Sequence, residues 1–168
     1  MGMMVQASSA SLYPFEGVQQ PTVLLFDMAE LKALRPETGE LVVGAVNDGV
    51  TPLAITYRDR APGLGRAIVG NDDFDGDGTV DLAVSAPGIS INGDGAGAVF
   101  VMRGGPASTG KLDAWLTVVG DGSERASVGQ DLSLAKAAAG TPVTLGIGAP
   151  LSYRTGTANG TAWLLPVR

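Results

Sequence analysis

The stretch NDDFDGDGTVDLAVSAPG, residues 71–88, decides how this chain is read. Asp72, Asp73, Asp75, Asp77 and Asp81 crowd into it before the sequence turns abruptly apolar. Like charges this close repel in a compact structure, so either a cation offsets them or the stretch stays unfolded. The apolar run that follows argues for folding. Counted from Asp73, the aspartates occupy positions 1, 3, 5 and 9, with Gly78 at position 6 and Thr79 at position 7. Alternate residues of a tight loop can aim carboxylates at one centre, the glycine permits the sharp turn, and position 7 can add a backbone carbonyl. Asp73, Asp75, Asp77 and Asp81, with the Thr79 carbonyl and a water, therefore form a predicted calcium (Ca2+) site. An EF-hand would need a bidentate Glu at position 12, where this chain has Val84 inside a strand-like run, and it would need helical flanks. The expected scaffold is a β-structure instead, with the last ligand, Asp81, at the start of a strand. Asp72 falls outside the pattern and is expected to set the turn or face solvent.

The rest of the composition agrees with a β-rich chain. Of 168 residues 45% are apolar, enough to fill a core, while 25 glycines and 10 prolines break the chain into short runs. The net charge is −6 with no basic cluster, so nucleic acid and anionic membrane surfaces are not expected partners. Neither cysteine nor histidine occurs, which removes disulfides, thiolate metal sites and histidine-based acid–base chemistry. No run approaches the roughly 20 apolar residues of a membrane span, and the N-terminal residues do not read as a signal peptide.

A repeat organises the chain. GLGRAIVG from Gly63 recurs as SVGQDLSLA from Ser127, DLAVSAP ending at Pro87 recurs as TLGIGAP ending at Pro150, and GAGAVFVM ending at Met102 recurs as ANGTAWLL ending at Leu165. Gly65 and Gly129 lie 64 residues apart and Pro87 and Pro150 lie 63 apart, so two landmarks give nearly one period. A weaker copy, ELVVGAV followed by PLAITYRD, lies upstream. Strands are predicted near 23–28, 41–46, 53–57, 66–70, 82–85, 98–102, 114–119, 131–134, 143–148 and 161–164. One helical turn is expected in AELKALRPE and a short helix in SLAKAAAG. Units of about 60 residues built from consecutive short antiparallel strands suit the blades of a β-propeller, whose apolar faces are buried by stacking on neighbours.

These residues resemble the FG-GAP repeats of the integrin alpha-subunit propeller and related propellers. In the middle copy Leu64 and Gly65 stand for Phe-Gly, Asp73 to Asp81 matches the calcium loop, Ser85, Ala86 and Pro87 stand for Gly-Ala-Pro, and GAVFVM matches the next strand. The last copy keeps Val128 and Gly129 and an intact Gly148, Ala149 and Pro150, but AKAAAGTPV replaces its calcium loop. The first copy retains only Gly44 and Ala45. The resemblance implies an all-β, antiparallel, incomplete propeller of two to three blades. It divides into an arm at 1–20, a degenerate blade at 21–60, a calcium-loop repeat at 61–120 and an incomplete loop-less repeat at 121–168. It also implies a structural calcium that pins the first two strands of a blade.

Other motifs fail on context. GPASTGKL at 105–112 imitates a phosphate-binding loop, but Leu112 replaces the magnesium-binding hydroxyl and a strand follows instead of a helix. GDGAGA imitates a dinucleotide motif and leads into the strand VFVM. Trp115 and Trp163 are expected to pack between blades, and Tyr153 and Arg154, after Gly-Ala-Pro, are candidate ligand contacts. No nucleophile elbow or acid–base pair stands out, so the chain is read as a non-enzyme that binds no small-molecule substrate. Open blades expose sheet edges, and a protein partner or self-association is expected to cover them. The expected function is a calcium-stabilised interaction or adhesion module at a cell or particle surface. The alternative is a structural or accessory subunit of a larger complex or virion.

Overall fold

The computed structural model describes residues 61–104, 114–122, 125–136, 141–152 and 159–167, together with the strands at 3–7, 22–26 and 53–55, of whose side chains only Val23 is described. All regular elements among them are strands. They form three antiparallel sheets that follow one another along the chain.

In the first sheet β1 (Met3–Ala7), β2 (Thr22–Phe26) and β3 (Leu53–Ile55) lie in chain order. The predicted N-terminal arm thus contributes a strand. The predicted strand at 41–46 and the helical turn in AELKALRPE lie outside the described residues.

The second sheet is a four-stranded meander of β4 (Ile68–Asp72), β5 (Asp81–Ala86), β6 (Ala98–Met102) and β7 (Ala114–Val119). The third holds β8 (Asp131–Lys136), β9 (Val143–Ala149) and β10 (Thr161–Val167) in the order β10-β9-β8. The short helix expected in SLAKAAAG is corrected over Ser133 to Lys136, which belong to β8. Leu132 and Leu134 pair there with Ile147 and Leu145, and the ladder bonds plus burial of Leu132 outweigh the helical preference of Leu, Ala and Lys. Strand β10 runs on through Pro166, because the end strand of a sheet tolerates a residue without an N–H.

Burial explains why β5 and β6 read as continuous apolar runs: every residue of both strands is buried. Side chains alternate across a sheet. Leu82, Val84, Ala86, Ala98, Phe100 and Met102 form one core with Val23 of the first sheet. On the opposite face Ala83, Val99 and Val101 join Leu132, Val143, Leu145, Ile147, Ala149 and Val167 of the third sheet. The middle sheet is therefore sandwiched, as a propeller-like blade is between its neighbours. β9, by contrast, alternates buried and half-buried residues, with its buried face toward the middle sheet. On β10 Leu164 is 77% exposed.

The repeat is visible in the hydrogen bonds. The Gly65 N–H donates to the Ser85 carbonyl at 2.7 Å, and the Gly129 N–H donates to the Gly148 carbonyl at 3.0 Å. In each unit the landmark glycine is tied to the strand that ends in Ala-Pro. Adjacent units meet where Gly97 and Val128 form a parallel bridge and the Val128 N–H donates to the Ala96 carbonyl at 3.0 Å.

Candidate metal centre

The aspartate stretch is the turn of the β4–β5 hairpin. β4 carries an irregularity between Gly70 and Asp72, with Asn71 at φ 79°, a left-handed conformation that Asn tolerates better than most residues. Asp72 then faces Asp81 across the hairpin, and residues 73–80 form the loop. Gly78 sits at φ 89°, which a side chain would strain, so the glycine at position 6 meets the need read from the sequence.

Three carboxylates converge. One oxygen from each of Asp73, Asp75 and Asp81 lies within 4.8 Å of the others. Asp77 lies outside that cluster. Its Oδ1 accepts from the Thr79 N–H at 2.7 Å, while its own N–H donates to Asp73 and Asp75. Thr79 is half-buried in the loop, next to the exposed Val80. Val84, at position 12, is buried in β5, as expected of a β-structure and not of an EF-hand.

Backbone N–H groups hold the carboxylates in place. Asp73 accepts from Gly76 at 2.7 Å, Asp77 at 3.1 Å and Gly78 at 2.8 Å. The Gly78 bond holds its carboxyl below the usual range; burial acts the other way, and the Gly76 and Asp77 bonds and the Lys136 ammonium add to the lowering. Asp81 is 2% exposed and accepts from Phe74 at 2.7 Å, Asp75 at 3.2 Å and Gly104 at 2.7 Å. It fastens both ends of the loop and the chain leaving β6 to one buried group.

Four residues at the site were not among those singled out from sequence. Phe74 is wholly buried in the core between the second and third sheets, so the loop is anchored there from its second position. The Arg103 Nε donates to Asp75 Oδ2 at 2.6 Å, and its guanidinium lies 6.0 Å from the centre of the Trp115 ring. Gly104 supplies the bond to Asp81 already described. Lys136, on β8, donates to Asp72 Oδ1 at 2.6 Å and so ties the third sheet to the start of the loop. The Asp72 carboxylate accepts from the Asp73 N–H at 3.2 Å, and it faces this ammonium and not open solvent alone. Phe74 and Lys136 were legible only as an apolar residue in an acidic run and a charge in a segment expected to be helical.

An open cleft beside the loop is lined by Asp75, Gly76, Asp77, Arg103 and Trp115. Trp115 and Trp163 both pack against the core between the second and third sheets, as expected. Tyr153 and Arg154 lie outside the described residues. The donors of the cluster are all hard carboxylate oxygens, and Asp73 Oδ2, Asp75 Oδ1 and Asp81 Oδ1 each accept one N–H bond and so keep a lone pair for a cation, a set that fits calcium.

No match to the chain was found among curated proteins. The family model of the FG-GAP repeat matches residues 65–102, from the glycine that opens the middle blade to the end of β6. The chain thus carries an FG-GAP repeat, and its three-carboxylate loop lies within that repeat.

Proposed function

We propose that this protein is a non-catalytic, calcium-stabilised interaction module of the integrin-like FG-GAP type, acting in adhesion or protein docking outside the cell or at a particle surface. The observation that carries the calcium reading is the convergence of Asp73, Asp75 and Asp81 inside an FG-GAP repeat. In this reading those three aspartates hold the ion, and Asp77 and the Thr79 carbonyl complete its shell with water. The ion neutralises the loop and, through Phe74, steadies the contact between the second and third sheets. Its role is structural. With few ligands and no bidentate Glu, the affinity belongs with extracellular modules, where free calcium is plentiful.

Among the described residues β10 stands at the end of the third sheet, and this sheet edge supports a role in contact with a protein partner or with another copy of the chain. The same feature keeps a second reading in view, a structural or accessory subunit of a larger complex or virion that neighbouring chains complete. Calorimetric titration with calcium tests the first element. Saturable binding accompanied by a rise in Tm supports it, and no binding at millimolar calcium refutes it. Light scattering in calcium and in chelator separates the two roles, since a docking module stays monodisperse alone whereas an assembly subunit oligomerises.

A further inference from the structure

We infer that Arg103 is a built-in counter-ion of the calcium loop, which pairs with Asp75 when the loop is metal-free and opposes calcium when it binds. The inference rests on the calcium reading above. Arg103 follows directly on β6, and the next residue, Gly104, is bonded to Asp81. That bond holds the backbone against the loop and delivers the guanidinium to Asp75, whose side chain is only 9% exposed while that of Arg103 is 60% exposed. The Trp115 ring flanks the guanidinium on the cleft side, which limits its swing.

Two consequences follow from charge. In the metal-free loop three carboxylates lie together, and among the described residues Arg103 is the cation paired directly with one of them. Its removal leaves their repulsion less compensated. In the calcium-bound loop the same guanidinium, one hydrogen bond from a ligand carboxylate, repels a doubly charged ion. A residue that merely packed against the loop would do neither. One that only oriented Asp75 would make calcium binding weaker on its loss, which is the opposite sign. Lys136 differs, because it pairs with Asp72, outside the cluster.

The test is calcium calorimetry and thermal melting on the wild-type chain, Arg103→Gln and Arg103→Lys at low ionic strength. Arg103→Gln is expected to bind calcium about tenfold more tightly, with the gain shrinking at high salt. It is also expected to melt below the wild type in chelator. Arg103→Lys, which keeps the charge, is expected to stay within about threefold of the wild-type Kd. If the wild type binds calcium and Arg103→Gln binds it equally or more weakly, the counter-ion inference is overturned while the calcium reading stands. The same holds if Arg103→Lys tightens binding as much as Arg103→Gln. If none of the three binds, the calcium reading itself falls, and this inference with it.

Discussion

Replacing Asp81 with alanine separates the role of the loop's hydrogen bonds from that of its metal. The substitution strips three backbone N–H groups, those of Phe74, Asp75 and Gly104, of a buried acceptor. Bonds to a charged group contribute about 1.5–3 kcal/mol each, so at the low end the three together are worth about 4–5 kcal/mol. An opposing term exists in the metal-free protein, because removing one charge relieves its repulsion with Asp73 and Asp75. At 4.8 Å two bare charges repel by about 3 kcal/mol in the effective dielectric of a protein site, but the Arg103 and Lys136 cations beside Asp75 and Asp73 cancel most of this and leave a relief of about 1 kcal/mol per pair. The hydrogen bonds win by about 3 kcal/mol, which in a chain of this size lowers Tm by about 6–12 °C. Thermal melting followed by circular dichroism in excess chelator reads this directly, and calcium should widen the gap further. A Tm for Asp81→Ala within about 2 °C of wild type in chelator would refute the claim that Asp81 fastens the loop without the ion.

Asp77→Ala should lower Tm in calcium but leave it nearly unchanged in chelator, since its side chain bonds only within the exposed part of the loop; equal losses in both conditions would remove Asp77 from the ligand set. Asp75→Ala should behave the same way, because relief of its repulsion with Asp73 and Asp81 offsets the loss of the ion pair with the largely exposed Arg103, worth about 1 kcal/mol or less. Phe74→Ala should cost about 3–5 kcal/mol in urea unfolding and weaken calcium binding as well, because the loop loses its anchor between the sheets. In Gly129→Ala the new Cβ would lie 2.8 Å from Ser85 Cβ and 2.9 Å from Val99 Cγ2, at a φ of 86° that disfavours a side chain; a stable, soluble variant with wild-type Tm would contradict the close approach of the units. Asp73, with its carboxyl held low in the folded chain, contributes stability that is fully present above the ordinary carboxylate range and lost as pH falls through its lowered folded value. In chelator Asp73→Asn should therefore flatten the acid side of a plot of Tm against pH, and an unchanged acid slope would count against that role.

The strands of the middle unit were legible because burial on both faces writes itself into the sequence as unbroken apolar runs, as in DLAVSA and AVFVM. The carboxylate cluster was legible because its geometry is local: loop spacing and one left-handed glycine determine which side chains can converge. β1 was harder to see, since the pairing that makes it a strand comes from β2, beyond a long intervening segment. β8 looked partly helical because local preference pointed one way and its pairing with β9 decided the other.

The sequence by itself determined the repeat, the antiparallel units and three of the aspartates that meet, all of which follow from residues near one another in the chain. Only the tertiary structure decided how the acidic loop is neutralised and anchored. Arg103 is 28 residues from Asp75, and Lys136 is 64 from Asp72. The first pair meets because β6 ends beside the β4–β5 turn, and the second because the third sheet packs on the second. Charges that far apart carry no local pattern, so strand order and sheet packing must bring them together before they have any chemistry in common.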